Sequence, residues 1–215
     1  FKFFFLFPEK KELDILNLNS IKNYLKKKKP KYLIHLAGLS RPMEIHDKDI
    51  AQSIDKNIIG TANITKVCFE YNVKLIYMST CYVYPGVKGN YDEKSPLLPI
   101  NNYAWSKLGG ESSVRLYKNS LILRASVTEK PFVHKNAFTD FKTNFIFHED
   151  LLPKILKLID QKGIINIGGK SQSVYDFVKK YDPTIKKISA KKILGKNSKL
   201  NITMNLKKFK KLIND

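Results

Sequence analysis

A chain of 215 residues with 43% hydrophobic content can bury a real core as one domain, or one domain with a small lobe, and is too apolar to be disordered over most of its length. Its net charge is +20, from 39 Lys+Arg against 19 Asp+Glu. The surplus is almost all lysine, scattered with short runs at Lys26–Lys29 and Lys207–Lys211, and arginine occurs only at Arg41, Arg115 and Arg124, which argues for a solvated lysine surface that draws anionic small molecules, and against nucleic-acid binding. No apolar run reaches the ~18 to 20 residues of a membrane helix, and Phe1–Phe7 carries neither a charged leader nor a small-residue cleavage site. A soluble cytoplasmic protein with no membrane contact is expected. Cys68 and Cys81 form no close pair or metal-type spacing, so reduced thiols and no metal are expected.

In chain order, Phe1–Phe7 reads as a short buried strand ended by Pro8. Ser20–Lys28 reads as a helix with Ser20 as N-cap and Ile21, Tyr24 and Leu25 on one side. Tyr32–Leu36 is a buried strand that runs into Ala37-Gly38. Asp49–Tyr71 is a long helical pattern carrying Ile54, Ile58, Ile64 and Val67. Val73–Met78 is an apolar strand followed at once by Ser79-Thr80, and Pro85–Asn101 is a loop rich in Pro, Gly and Asn. Asn102–Tyr117 is helical and Ser120–Leu123 is another apolar strand, leading to Ala125-Ser126. Beyond Val127 the pattern loosens. A helix is expected over His148–Gln161, a strand over Ile164–Ile167 and short helices over Ser173–Tyr181 and Leu206–Ile213.

Fully apolar strands alternating with helices give an α/β fold with a parallel sheet covered on both faces. Ligands of such sheets bind at the carboxyl ends of the strands. The polar and small residues at those ends are Ala37-Gly38, Ser79-Thr80 and Ala125-Ser126.

Tyr103-Ala-Trp-Ser-Lys107 puts a phenol and an ammonium four residues apart, hence on one helix face. A free phenol has a pKa near ~10, and a neighbouring ammonium favours the phenolate, so Tyr103 is a candidate general acid or base beside a carbonyl. The spacing alone arises by chance. Thr80, ending a buried strand 23 residues earlier, adds a hydroxyl for the same substrate oxygen, and the conjunction is more selective than either part.

The ordered series His35-Leu-Ala-Gly-Leu-Ser-Arg-Pro42, Asn57-Ile-Ile-Gly-Thr-Ala-Asn63, Ser79-Thr-Cys-Tyr-Val-Tyr-Pro-Gly86, Gly89-Asn-Tyr-Asp-Glu93 and Tyr103-Ala-Trp-Ser-Lys-Leu-Gly-Gly-Glu111 resembles the extended short-chain dehydrogenase/reductases, a family of nucleotide-sugar epimerases, dehydratases and 4-keto reductases. The resemblance implies a Rossmann-like doubly wound sheet over residues 1–125 and a short substrate-binding lobe over 126–215, interleaved with the sheet. It implies Thr80, Tyr103 and Lys107 as catalytic residues. It implies cofactor contacts at Asp14, Ile15, Leu36, Ala37, Gly38, Asn57, Tyr103, Lys107 and Ala125. The family's G-x-x-G-x-x-G turn is absent from the chain's ten glycines, and roughly 30 residues ahead of Phe1, a strand and its helix, are expected to supply it. The stretch between Arg124 and Phe145 is shorter than the family pattern.

The function implied is NAD(P)-dependent reduction of a nucleotide-linked sugar, most like the 4-keto reductases typified by dTDP-4-dehydrorhamnose reductase, with a sister epimerase or a non-catalytic reductase-like binding protein as alternatives. Cys81 and Tyr82 stand where the family's dehydratases carry an acidic pair, which argues against dehydration. Lys10 and Lys11, past the first expected strand, favour a 2′-phosphate and hence NADP over NAD. A nucleotide-sugar substrate and a homodimer are the expected partners. Arg41 is a candidate for a substrate phosphate, and His35, His46, His134 and His148 are read as structural or surface residues.

Overall fold

The computed structural model describes residues 3–195 and 197–214. Helix α1 spans Leu18–Lys28 and is capped by Asn17, whose side chain accepts from Ser20 N. The expected cap, Ser20, lies inside the first turn. Its hydroxyl accepts instead from Asp14 N at 3.0 Å, because the extended backbone of Asn17 already brings a side-chain oxygen to that turn's amide. Strand β1 covers Tyr32–His35.

The expected Asp49–Tyr71 helix is built in pieces. After α2 (Ile45–Lys48) come α3 (Ile50–Ser53), a π-helical segment over Ile54–Ile59, and α4 (Gly60–Glu70). The wide π turn rotates what precedes it off the apolar stripe. Ile64 and Val67 are buried as expected, while Ile54 is 42% exposed. Asn57, in the middle of the π segment, is buried. Strand β2 is Lys74–Thr80, a short 3-10 turn follows at Cys81–Val83, α5 runs Asn102–Arg115 from the N-cap Asn101, and β3 is Ser120–Ala125.

The C-terminal part holds the elements that periodicity missed. They include the short strands β4 (Val127–Thr128), β5 (Asn136–Phe138), β6 (Lys142–Thr143) and β7 (Ile146–Phe147). Helix α6 (His148–Leu158) and strand β8 (Gly163–Ile167) follow. Then come β9 (Gln172–Ser173), α7 (Val174–Val178), β10 (Lys186–Ile188), α8 (Ala190–Leu194) and α9 (Lys207–Asn214).

The main sheet has the order β1-β2-β3-β8, every neighbour parallel. One face packs Leu75, Tyr77 and Ile122 against Ile21 and Leu25 of α1, Ile64, Val67 and Cys68 of α4 and Val114 of α5. The other packs Ile76, Leu121, Leu123 and Ile165 against Leu151, Ile155 and Leu158 of α6 and Phe209 of α9. Helices on both faces force the strands to be apolar on both, and that is what makes β2 and β3 readable as runs. A small separate core of Ala137, Phe147, Val174, Phe177, Val178 and Ile185 supports the C-terminal segment.

The described part of Phe1–Phe7 is not a strand. Residues 3–7 join no ladder, and Phe4 and Phe7 are 89% and 85% exposed. The run makes aromatic contacts such as Phe3 with Tyr32, 6.3 Å between centroids. Without a neighbour offering main-chain donors and acceptors, apolar character alone does not make a strand.

Helix α5 lies close over the π segment because Gly109 and Gly110 have no side chains. A Cβ on Gly110 would stand 2.3 Å from the Asn57 carbonyl oxygen and 2.8 Å from the Tyr77 hydroxyl. Backbone cannot yield there as a side-chain tip can. Gly110→Ala is therefore expected to destabilise by about 1–3 kcal/mol, read as a lower urea midpoint, whereas Ala at the open Gly163, where no atom lies within 4 Å, is limited by its positive φ alone.

Candidate active site

The carboxyl edge of the sheet gathers the residues singled out above. Thr80 ends β2 and pairs in register with Ala125 at the end of β3, which pairs in turn with Ile167 of β8. Thr80 and Ala125 are 5% and 3% exposed. The Thr80 Oγ1 accepts from Tyr82 N at 3.2 Å, which starts the Cys81–Val83 turn and sends the chain away from the sheet. The loop returns at Asn101, whose side chain accepts from Ala104 N at 2.8 Å and fixes the first turn of α5. That turn carries Tyr103. Its ring lies between His46, 5.1 Å between centroids, and Tyr82, 6.3 Å.

Burial pushes the Tyr103 phenol up to about 12, and Cys81 adds to this; the Thr80 hydroxyl, as a hydrogen-bond partner, and the Arg41 charge pull it back. The structure thus brings Thr80 and Tyr103 together.

Lys107 follows one turn later on the same face and is buried, but its ammonium sits 4.3 Å over the ring centroid of Tyr77. Burial brings Lys107 down to about 7, with Glu111 pulling it back up. The expectation that this ammonium lowers the Tyr103 phenol is not met in this arrangement. Desolvation raises the phenol, and the ammonium has the π face of Tyr77 as its neighbour.

Asn57 lies in the π segment behind the loop that follows β1. Its Oδ1 accepts from Leu39 N at 2.7 Å, and its Nδ2 donates to Leu39 O and to Ser106 Oγ, both at 2.8 Å. These bonds occupy its amide, so Asn57 braces the loop after β1 against α5. A Cβ on Gly38 would stand 2.7 Å from Asn57 Oδ1, which explains a glycine there.

Leu36, Ala37 and Gly38 are exposed where β1 ends, Leu36 by 68%. Asp14 and Ile15 precede α1. Ile15 packs onto Gly60, its carbonyl accepts from Asn63 Nδ2 at 3.0 Å, and Asp14 Oδ1 accepts from Leu16 N. Lys10 and Lys11 are exposed and rest near Asp14 and Glu9. Arg41 pairs with Glu129 rather than standing free.

Three residues near Tyr103 and Thr80 were not anticipated. His46 is buried, bonds Ser53 through Nδ1 and leaves Nε2 without a partner among the described residues. Cys81 is buried beside Ser126, Thr80 and Thr143, and burial lifts its thiol to about 11. His35 ends β1 with Nε2 at 3.0 Å from Thr61 Oγ1. Cys81 follows Thr80 directly in the chain, whereas His46 comes from α2 and His35 from β1, where no spacing rule reveals them.

Burial, and then the Lys107 charge, hold His35 down at about 3 from an ordinary 6.5. A depressed imidazole gives stability that is complete above the unfolded value and lost as pH falls towards the folded one. Stability should therefore fall by about 1.4 kcal/mol per pH unit below 6.5. Urea titrations of the wild type and His35→Asn should show the acid-dependent part disappear in the variant.

A nicotinamide dinucleotide can be tested against these residues. Its ribose diol would give the desolvated Lys107 ammonium the oxygen partners it lacks among the described residues, and the bared Leu36 is an apolar wall for a flat ring. The nicotinamide–ribose end fits. The pyrophosphate end finds no glycine-rich turn in this chain.

Fold and site together define a Rossmann-like α/β protein with a Thr–Tyr–Lys set at the carboxyl edge of its sheet. A family model described as RmlD substrate binding domain matches residues 3–144, and the chain belongs to that family. A dTDP-D-glucose 4,6-dehydratase of Dictyostelium discoideum is 29% identical over 223 residues, covering 94% of this chain and 48% of the relative. A methionine adenosyltransferase 2 subunit beta of Xenopus laevis is 32% identical over 102 residues, 47% of this chain and 30% of the relative. The chain thus spans about half or less of these relatives. Among solved structures, dTDP-4-dehydrorhamnose reductase from Bacillus anthracis in complex with NADP superposes with a TM-score of 0.81 at 23% identity, covering 94% of this chain and 81% of that one.

Proposed function

We propose that this chain carries the reducing site of an NAD(P)-dependent oxidoreductase acting on a nucleotide-linked sugar, as a 4-keto reductase. The observation that supports it most is the half-buried Tyr103, whose phenol has the Thr80 hydroxyl as its partner, with Thr80 in register with Ala125. In this reading Tyr103 gives its proton to the sugar carbonyl oxygen while the Thr80 hydroxyl donates to the same oxygen and fixes its direction. A phenol kept protonated by burial suits a proton donor. Lys107, turning from Tyr77, binds the cofactor ribose together with Tyr103. Leu36, Ala37, Gly38 and Ala125 line the cofactor, Asn57 braces that wall, and Asp14 and Ile15 stand toward the adenine end. The bound nicotinamide supplies the hydride.

The proposal assigns the cofactor to residues 1–125 and the substrate to 126–215. A cleft of about 420 Å³ lined by Gly86, Asp140, Lys142, Lys199 and Asn201 would give the nucleotide diphosphate two lysines beside one carboxylate. NADPH is the favoured nucleotide, with a relative's NADP complex in support. A homodimer, a cytoplasmic location and no nucleic-acid role complete the reading. Among the described residues no helix is long and apolar enough to cross a membrane.

The rival, a reductase-like subunit without turnover, draws on Lys107 facing Tyr77 and on the subunit-beta relatives. Purified protein mixed with NADPH and a dTDP-4-keto-6-deoxy sugar separates the two. The reductase reading expects nicotinamide oxidation in step with loss of the keto sugar. Binding of NADPH without any oxidation would overturn it in favour of the subunit.

A further inference from the structure

Alternation along β2 points Tyr77 to the same face of the sheet as Leu75, the face that α4 and α5 cover. Tyr77 is fully buried there, and two contacts register its ring to a single residue of α5. The Tyr77 hydroxyl donates to the main-chain oxygen of Lys107 at 3.1 Å. The ring face carries the Lys107 ammonium, with Nζ 4.3 Å from the centroid. Gly110 makes room for this approach, since a Cβ there would stand 2.8 Å from the same hydroxyl. The ring is also steadied from β1, where its register partner His35 lies 5.7 Å away between centroids. Tyr77 therefore cannot turn from Lys107 without giving up its hydroxyl bond.

We propose that Tyr77 is a positioning residue for Lys107: bonded to the lysine's own carbonyl, it offers the ring face that holds the ammonium charged and in place in the cofactor-free site. The inference deepens the reductase reading, on which the importance of Lys107 rests.

Lys107 is 8% exposed, and loss of water favours the neutral amine. The carboxylate on its own helix is engaged elsewhere, since Glu111 accepts from Ser79 Oγ at 2.7 Å and from Arg124 Nη2 at 2.6 Å. The other titratable neighbours are His35 of β1, which the Lys107 charge disfavours as a cation, and Tyr103 one turn earlier on α5. An aromatic face attracts a desolvated cation through its quadrupole and carries no formal charge. A ribose diol can therefore take the ammonium over without an ion pair being broken.

The test follows Lys107 itself by NMR, in protein whose lysines are isotopically labelled at the ε carbon. Its signal is assigned by its absence from the spectrum of Lys107→Arg. Wild type, Tyr77→Phe, Tyr77→Leu and Tyr77→Met are compared, with far-UV circular dichroism to select folded variants. In wild type without cofactor, the ring current should carry the Lys107 ε-methylene protons upfield of the other lysines. Tyr77→Phe keeps the ring and should keep both this shift and the pH midpoint of the signal. The variants without a ring should lose the shift, and their midpoint should fall by about half a pH unit to one and a half. A wild-type Lys107 signal lying among the exposed lysines would overturn the proposal with no variant needed. An unmoved midpoint in a folded variant without the ring would overturn it too, as would a fall in Tyr77→Phe equal to that in Tyr77→Leu. NADPH added to wild type should draw the ammonium off the ring and cancel the upfield shift. A shift that NADPH leaves in place would count against the reductase reading, while the contact with Tyr77 would stand.

Discussion

Tyr103→Phe is expected to lower turnover by about 100-fold or more, the scale of a lost general acid, with little change in KM or stability. The substitution keeps the ring, and with it the packing on His46 and Tyr82 at 5.1 and 6.3 Å. What it removes is the one proton that this arrangement can deliver beside Thr80. The neighbouring candidates are poorly suited to replace it. Burial raises the Tyr82 phenol above that of Tyr103, the Cys81 thiol is taken up by Ser126, Thr80 and Thr143, and Thr80 is an alcohol, a weaker acid than a phenol. Steady-state kinetics with a completed assay, comparing kcat and KM separately, checks the claim. A kcat within about threefold of wild type would show that the proton comes from elsewhere.

The second large effect concerns stability. Arg124 and Glu111 are 1% and 0% exposed and form an ion pair with Nη2–Oε1 at 2.6 Å. Arg124→Ala strands the Glu111 carboxylate in the interior and takes a donor from Tyr84. Breaking one side of such a pair costs about 3–5 kcal/mol, whereas replacing both partners by groups without charge is often close to neutral. Urea unfolding should therefore place Arg124→Ala far below wild type, and Glu111→Gln/Arg124→Met between the two. Equal losses in the single and double variants would mean that packing, not an uncompensated charge, dominates at this position.

The sheet was legible because burial on both faces leaves little choice of residue. Leu75–Tyr77 and Leu121–Leu123 are apolar runs of the length a strand needs, and each ends at the small and polar residues of the site. The Tyr103–Lys107 spacing was legible because helical geometry follows from residue count alone. Other features depend on neighbours that spacing does not encode. Phe3–Phe7 has strand composition but no partner strand among the described residues. The π segment at Ile54–Ile59 follows no apolar period and shows itself only through the exposure of Ile54 and the burial of Asn57. The pairings β4–β7 and β6–β9 are two residues long, too short for any alternation to register. Which way Lys107 points was equally hidden, since both the phenol and the Tyr77 ring lie within reach of its flexible stem, and desolvation against a π face decided it.

The claim on which the account rests is that a nicotinamide ring lies beside Thr80, Tyr103 and Ala125 at the carboxyl edge of β2 and β3. Methyl-resolved NMR during titration with NADPH addresses it directly. The account predicts that the Thr80 and Ala125 methyl signals shift together and saturate at one ligand concentration, with the Leu36 methyls moving in parallel. Saturable binding that leaves Thr80 and Ala125 unmoved while shifting residues elsewhere would contradict it.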